Sequence, residues 1–321
     1  MGIHRGSVLL AVLANALLAG AAFAQCKMGE EPGCPKHSVV AKAPVGTFFE
    51  NIALGADGAF YLTDYTGKRI VRFTDADGLK THASVDVHPL GIIVDTDNTI
   101  YFTGQEKSLF GGGGTFHNAN VIYRIRNGGQ PELFLRSADA KFLNGMTRIA
   151  PGRFLIADSR GGVIWELNAA SPKLSQFLVS PLLDTSDDKI PTPGANGVKI
   201  NNGYLYISNT VRGTFVRVKL GADMKPGEPE IWLENARADD FDFSPAGTMF
   251  YTTHRDKIFR VMDGKPQEFA GGGTSIVGNT ALAWNAKGEG PYVVGDGGLV
   301  GNKSYKGPEP VEATIVRFDS K

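Results

Sequence analysis

The sequence predicts an all-β protein, a six-bladed β-propeller, from three observations. One pattern of three short apolar strands separated by turns recurs six times after residue 48. Its period of roughly 40–50 residues is typical of propeller blades. Glycine is abundant, at 41 of 321 residues, which suits a fold of many tight turns. The clearest copies start at Phe49, Leu143, Ala195 and Ala238, and two looser copies start at Pro89 and Gly278.

The repeats divide the chain into blades and predict how the ring closes. The six blades cover about 48–87, 88–138, 142–181, 194–235, 237–271 and 277–321. Each of the first five ends in a fourth short strand, whereas the sixth lacks one. The segment 37–44 has the missing pattern, so we expect this N-terminal strand to complete the last blade and close the ring. Residues 37–321 are then a single domain, because the blades share one ring.

The N-terminal segment has the features of an exported protein. Residues 1–24 combine positive charge, a continuous apolar run and a small-residue motif, which predict a signal peptide cleaved near Ala24. We therefore expect a periplasmic or secreted protein. No other segment is apolar enough to span a bilayer, so no membrane partner is expected. In an oxidising compartment, Cys26 and Cys34 of the loop at 25–36 are expected to pair.

Charge and missing motifs exclude several function classes. Lys and Arg number 33 and Asp and Glu number 33, and no basic stripe is visible, so nucleic acid is not an expected partner. The sequence has no G-x-S-x-G elbow, no H-E-x-x-H motif and no phosphate-binding GK[ST] loop. A serine-triad hydrolase, a zinc protease of that type and a nucleotide enzyme are therefore not indicated.

Strand parity places three long insertions on one face of the ring. If the first strand of each blade runs downward from the top face, the loops after second strands and the loops between blades also lie on top. The insertions at 105–120, 184–195 and 296–310 all fall in such loops. Long loops grouped over one face of a rigid scaffold are typical of binding sites. We expect a monomer that binds a small-molecule substrate at this mouth.

One position at the start of each first strand carries an acid or an amide in four of the six blades. Counting back from the following turn, the position holds Glu50, Asn144, Asn196 and Asp239, with Leu90 and Thr280 in the other two blades. Innermost strands line the channel of a propeller, so these side chains should converge. We predict that the four polar residues bind one divalent cation, a hard cation such as Ca²⁺, because hard cations prefer such oxygens and a dication relieves carboxylate repulsion. The alternative is that they cap turns or bond to neighbouring blades.

A second set of polar residues follows the second strand of the blades: Asp64, Asp158, Asn209, His254 and Asp296. Asp64 and Asp158 lie in hairpin-turn sequences and are interpreted as structural. Asn209 and His254 break the aspartate pattern, so they are the candidates for contact with a substrate.

The residues at the channel position carry a specific family resemblance. With Glu50 in FFENIAL, Asn144 in LNGM, Asn196 in ANGV and Asp239 in ADDFDFSPAG, residues 45–321 resemble the senescence-marker-protein/gluconolactonase/luciferin-regenerating-enzyme family of six-bladed propellers. The resemblance implies that these four residues bind one divalent cation, usually Ca²⁺, and that Asp239 is the general base of lactone hydrolysis. Asp239 and Glu50 are therefore the candidate catalytic residues of a divalent-metal-dependent lactone or ester hydrolase.

The chain departs from that family's pattern at three positions. Asn51 and Asp240 stand where the family has glycine, and Phe142 replaces a substrate-contacting arginine. Phe142 is thus a candidate substrate contact that favours a less polar substrate. The chain is also similar to the hetero-Diels–Alderase-like branch of these propellers, in the stretches LNGM, LIADS, ANGV, YISNT and DDF. One alternative is therefore a non-hydrolytic enzyme that uses the same pocket. Another alternative is a non-catalytic binding propeller. We expect Asp240 to alternate to the side of the strand opposite Asp239.

Overall fold

A computed structural model gives the fold of this chain for most of its length. It describes residues 35–109, 120–185, 192–271, 274–300 and 309–319. The predicted signal peptide and the predicted cysteine pair lie outside the described residues, as do parts of the three long insertions.

The described residues form 24 strands and two short 3-10 helices, at Pro181–Leu183 and Thr274–Ile276. In chain order the strands are β1 (His37–Ala43), β2 (Phe49–Leu54), β3 (Phe60–Asp64), β4 (Arg69–Thr74), β5 (Gly78–Ser84), β6 (His88–Val94), β7 (Ile100–Gln105), β8 (Asn120–Ile125), β9 (Glu132–Ser137), β10 (Leu143–Ala150), β11 (Arg153–Asp158), β12 (Val163–Asn168), β13 (Lys173–Val179), β14 (Ala195–Asn201), β15 (Tyr204–Asn209), β16 (Thr214–Leu220), β17 (Pro226–Leu233), β18 (Phe241–Phe243), β19 (Met249–Thr252), β20 (Lys257–Met262), β21 (Lys265–Gly271), β22 (Asn279–Ala283), β23 (Tyr292–Gly295) and β24 (Ala313–Phe318). In the ranges described, no helix has the length and apolar character needed to cross a membrane.

The strands form six four-stranded antiparallel sheets, so the predicted six-bladed propeller is confirmed. Blades one to five are β2-β3-β4-β5, β6-β7-β8-β9, β10-β11-β12-β13, β14-β15-β16-β17 and β18-β19-β20-β21. Blade six has the order β22-β23-β24-β1. There, the N-terminal strand pairs with the last strand from His37 opposite Phe318 to Ala43 opposite Ala313. The first and last strands of the described chain therefore share one sheet.

The core lies between the blades, because each sheet is covered on its faces by neighbouring sheets. Between blades one and six, for example, Phe60 and Leu62 pack with Tyr292 and Ile315, all at most 3% exposed. Burial of each such side chain contributes about 1.5–3 kcal/mol. This packing helps to hold the first and last blades together.

A β-bulge near the start of each innermost strand positions the residues of the channel mouth. The register slips between Phe49 and Asn51, Pro89 and Ile92, Leu143 and Met146, Ala195 and Val198, and Asn279 and Ala281. In blade five, Thr252 accepts from the Asp239 N–H and donates to the Asp240 carbonyl at 2.9 and 3.0 Å. Two residues there also oppose one, which is the mark of a bulge.

Candidate functional site

The six positions singled out in the sequence are the first residues of the six bulges. Glu50 and Asp239 come from blades one and five, and Asn144 and Asn196 come from blades three and four. A bulge releases one residue from the ladder and re-aims its side chain. Asn196 Nδ2 donates to Asp239 Oδ1 at 2.7 Å, and the negative charge of Asp239 acts on Glu50. Asn144 lies at the equivalent position but donates elsewhere, to Ser159 Oγ at 3.3 Å.

Each of the two acidic residues of this set has one carboxylate oxygen that no hydrogen bond of the described protein satisfies. Glu50 Oε2 and Asp239 Oδ2 are buried and have no hydrogen-bond partner in the described structure. Burial, chiefly, raises the pKa of Glu50 to about 8, and the charge of Asp239 adds to the shift while His254 opposes it. Buried polar atoms without partners are costly. Unpaired carboxylate oxygens next to carboxamides fit a hard divalent cation, which prefers oxygen ligands.

The two carboxamides are held by their nitrogen ends. Ser159 Oγ accepts from Asn144 Nδ2, and Thr210 Oγ1 accepts from Asn196 Nδ2 at 3.0 Å. Each hydroxyl also donates to a backbone carbonyl of the next blade, at 2.6 and 2.7 Å. The amide oxygens are thereby left to a ligand. The sequence reasoning missed both hydroxyls, although each directly follows a member of the second polar set.

His254 connects the mouth to a second buried carboxylate. Its Nδ1 lies 3.1 Å from Asp239 Oδ2, an ion-pair distance without hydrogen-bond alignment. Its Nε2 forms a 3.2 Å hydrogen bond with Asp296 Oδ2, and Asp296 is fully buried. Burial lowers the pKa of His254, but the two aspartates outweigh this and raise it well above its usual value. The backbone of His254 has φ of +54°, which is unusual for a residue other than glycine and common at functional sites.

The other members of the second polar set have structural partners. Asp64 pairs with Arg69 at 2.7 Å, and Asp158 accepts from Trp165 Nε1 at 3.0 Å and from neighbouring backbone N–H groups. Asn209 donates to two loop carbonyls at 3.0 Å each and accepts from the Arg212 N–H at 3.2 Å. Its predicted contact with a substrate stays a prediction, and both ends of its amide are occupied in this structure.

Phe142 belongs to an apolar cluster beside the mouth. It is 3% exposed and packs with Phe48, Tyr65 and Leu90, and the partly buried Leu109 and Leu299 pack against this cluster. The Phe48 ring also lies 5.6 Å from the His254 ring. The cluster thus borders the acidic side of the site, and a contact between Phe142 and a substrate remains a prediction.

The expected direction of Asp240 is wrong. Asp240 accepts from Asn51 Nδ2 at 3.2 Å and from Lys199 Nζ at 3.0 and 3.2 Å. Asn51 belongs to blade one, which does not neighbour blade five, so this hydrogen bond crosses the channel. Strict alternation assumes a regular strand, whereas the bulge keeps both Asp239 and Asp240 on the channel side. The two residues form successive layers of the same channel.

The candidate cation site depends on its amides as well as its acids. Within the ranges that the structure describes, no three His, Cys, Asp or Glu side chains are grouped as metal ligands. Two carboxylates and two carboxamide oxygens are the available donors, which is a set typical of Ca²⁺ rather than of Zn²⁺.

Comparison with known proteins identifies structural neighbours but no sequence relatives. No protein-family model matches the chain, and no curated protein matches it in sequence. A luciferin-regenerating enzyme superposes with a TM-score of 0.67 at 12% identity, over 89% of this chain and 95% of its own. A gluconolactonase from Xanthomonas campestris gives 0.64 at 12% identity, over 91% of each chain. A calcium-binding protein, regucalcin, from Agrobacterium tumefaciens gives 0.65 at 12% identity, over 89% and 96%. At these identities the likeness establishes the propeller fold.

Proposed function

We propose that this protein is a lactone or ester hydrolase that acts on a small molecule at the channel mouth with one divalent cation, Ca²⁺. The observation that carries the proposal is a pair of buried carboxylate oxygens without a hydrogen bond, Glu50 Oε2 and Asp239 Oδ2; the second of them faces the His254 ring. They lie in the same ring as two amides whose nitrogen ends are already engaged. The likeness of the fold to a gluconolactonase supports the choice of substrate class.

The residues of the mouth have two roles in the proposed reaction, cation binding and general-base catalysis. Glu50, Asn144, Asn196 and Asp239 would hold the cation, which, when bound, polarises a carbonyl oxygen and lowers the pKa of a water ligand. Asp239 would accept the proton of the attacking water as general base. Its Oδ1 is fixed by Asn196, and its Oδ2 lies beside His254. Asp239 is therefore held in one orientation from both sides.

Turnover of a panel of lactones and esters, with and without a chelator, tests this proposal. We expect hydrolysis that is lost with chelator and regained with Ca²⁺, and one equivalent of Ca²⁺ bound in calorimetry. Binding of Ca²⁺ without turnover of any lactone or ester would favour a binding propeller or a non-hydrolytic enzyme. Absence of any bound dication in the folded protein would overturn the assignment of the four ligands.

A further inference from the structure

A third ring of residues lies directly above the bulges, and we call it the rim ring. Strand register places one residue of each blade in it: Tyr65, Gln105, Ser159, Thr210, His254 and Asp296. Gln105, for example, pairs with His88, which lies two residues before Leu90, the first bulge residue of blade two. Ser159 and Thr210 take the same place, since their N–H groups donate to the carbonyls of Phe142 and Gly194.

Most of the rim ring is engaged with the site or with its loops. Ser159 and Thr210 hold the two amides, and His254 joins Asp239 to Asp296. The hydroxyl of Tyr65 accepts from the backbone N–H of a top-face loop residue at 2.8 Å. In each of these blades, the rim residue therefore has a polar partner.

Gln105 is the exception in the rim ring. It is 1% exposed, and neither its Nε2 nor its Oε1 has a hydrogen-bond partner in the described structure. The reason is visible in its own blade, where the first bulge residue is Leu90, which offers no polar atom and packs in the apolar cluster. A leucine at position 105 would avoid the cost of burying an unpaired amide. Buried polar groups are normally hydrogen-bonded, and this amide lies in a ring whose other members have polar partners, so a ligand at the mouth would account for it.

We propose that Gln105 is a ligand-binding residue of the channel mouth and that its amide receives a hydroxyl group of the ligand. A hydroxyl donates to Oε1 and accepts from Nε2 through a single oxygen, so it pairs both ends of the amide. The proposal rests on the proposed function for the rest of the ligand, which is then a lactone or ester bearing a hydroxyl substituent. Gln105 thus acts as a specificity-determining residue on the side of the mouth opposite the carboxylates of blade five.

The first test needs no activity and compares Gln105→Leu with Asn120→Leu. Asn120 lies opposite Gln105 on β8, is equally buried, and has partners, since it donates to the Ala140 carbonyl at 2.8 Å and accepts from the Leu143 N–H at 2.9 Å. We expect Gln105→Leu to raise the unfolding midpoint by about 2–4 °C, because it removes an unpaired amide, and Asn120→Leu to lower it. A fall for both variants would show that Gln105 has structural partners, and the proposal would be wrong.

The second test compares α-hydroxy-γ-butyrolactone with γ-butyrolactone for the Ca²⁺-loaded protein. We expect a preference of about tenfold in kcat/KM for the hydroxylated lactone, worth about 1.4 kcal/mol, and its loss in Gln105→Leu. An unchanged preference in the variant would overturn the role of Gln105. If neither lactone is hydrolysed, calorimetry of the hydroxylated lactone decides. Binding that weakens in Gln105→Leu keeps this proposal while the hydrolase assignment fails, and binding that is absent or equal in both proteins rejects the proposal.

Discussion

The two residues of the bulge in blade five, Asp239 and Asp240, are neighbours in sequence and differ in how their charges are satisfied. Asp240, in the lower layer, receives hydrogen bonds from Asn51 and twice from Lys199. Asp239, in the upper layer, keeps one buried oxygen without a hydrogen bond, as does Glu50. A carboxylate that the protein satisfies for itself is structural, whereas one that it leaves open is available to a ligand. We therefore propose the upper layer as the site and call the lower layer its floor.

Glycines explain why blades two to four contribute no side chain to the floor at the second bulge position. In blades two to four the second bulge residue is glycine, and a Cβ on Gly145 would lie 2.5 Å from the carbonyl oxygen of Asn196. The innermost strands are too close there for a side chain. Asn51 and Asp240 occupy the equivalent positions in blades one and five, and they meet across the channel. The floor thus forms from the two blades whose second bulge residue, Asn51 or Asp240, carries a polar side chain instead of glycine.

The largest effect is expected from exchanging the carboxylates of the two layers for amides. Asp239→Asn removes the proposed general base and one cation ligand, so kcat/KM for a hydrolysed lactone should fall at least ~100-fold, with weaker Ca²⁺ binding. Asp240→Asn, the matched control, changes a residue with no open oxygen and should cost far less. Kinetics and calorimetry of both variants check this. Equal losses would mean that the layers do not differ in function.

Removal of the counter-charge of the floor should give the next largest effect. Lys199→Met leaves Asp240 buried without a cation, and we expect a loss of about 3 kcal/mol in the free energy of unfolding. The double variant Lys199→Met/Asp240→Asn should recover most of that loss, because no charge is then left unpaired. Urea unfolding of the single and double variants measures the coupling. If the effects of the two substitutions on the free energy of unfolding are simply additive, the pairing of Lys199 with Asp240 is contradicted.

A smaller effect is expected from loosening one amide of the upper layer. Thr210→Val keeps the shape of the side chain but removes the hydroxyl that holds Asn196 and bonds to the next blade. The free energy of unfolding should fall by about 1–2 kcal/mol, and Ca²⁺ affinity should fall because the amide is no longer fixed. Thr66→Val changes a hydroxyl in a turn of blade one and should leave Ca²⁺ affinity unchanged. If both variants bind Ca²⁺ as the parent does, Thr210 does not position the site.

The positions of the upper layer could be predicted from sequence, but the floor and most of the rim ring could not; of the rim ring, only His254 and Asp296 were singled out. Counting back from each turn glycine located Glu50 and Asp239, because turns anchor the register of the strands that precede them. Asp240 was misplaced, since period-two alternation fails at a bulge that depends on contacts between blades. The rim residues Ser159 and Thr210 were missed by one position. Asp158 and Asn209, which end the second strands of their blades, form hydrogen bonds with nearby turns and loops. The residue after each of them is the one that contacts an amide of the mouth.

The smallest effect concerns Asp242, the second carboxylate near Lys199 besides Asp240. Burial raises its pKa to about 6 from an ordinary value of 3.8, and Lys199 and the Phe243 N–H oppose the shift only in part. The folded protein therefore holds this proton up to about pH 6, whereas the unfolded chain releases it near pH 4. The free energy of unfolding should fall as pH rises through this window and then stay level.

Asp242→Asn should remove this penalty. Because the side chain is partly exposed, we expect a gain on the order of 1 kcal/mol at pH 7 and no gain at pH 4. Lys199 pairs with Asp240, and the negative charge of Asp240 adds to the rise in the pKa of Asp242, so Lys199 offsets only part of the cost of burying Asp242. Urea unfolding of the variant and the parent between pH 4 and pH 7 measures the difference. If the difference in free energy of unfolding does not grow with pH, the charge of Asp242 costs no stability. The insufficiently stabilised carboxylates would then be those of the upper layer alone.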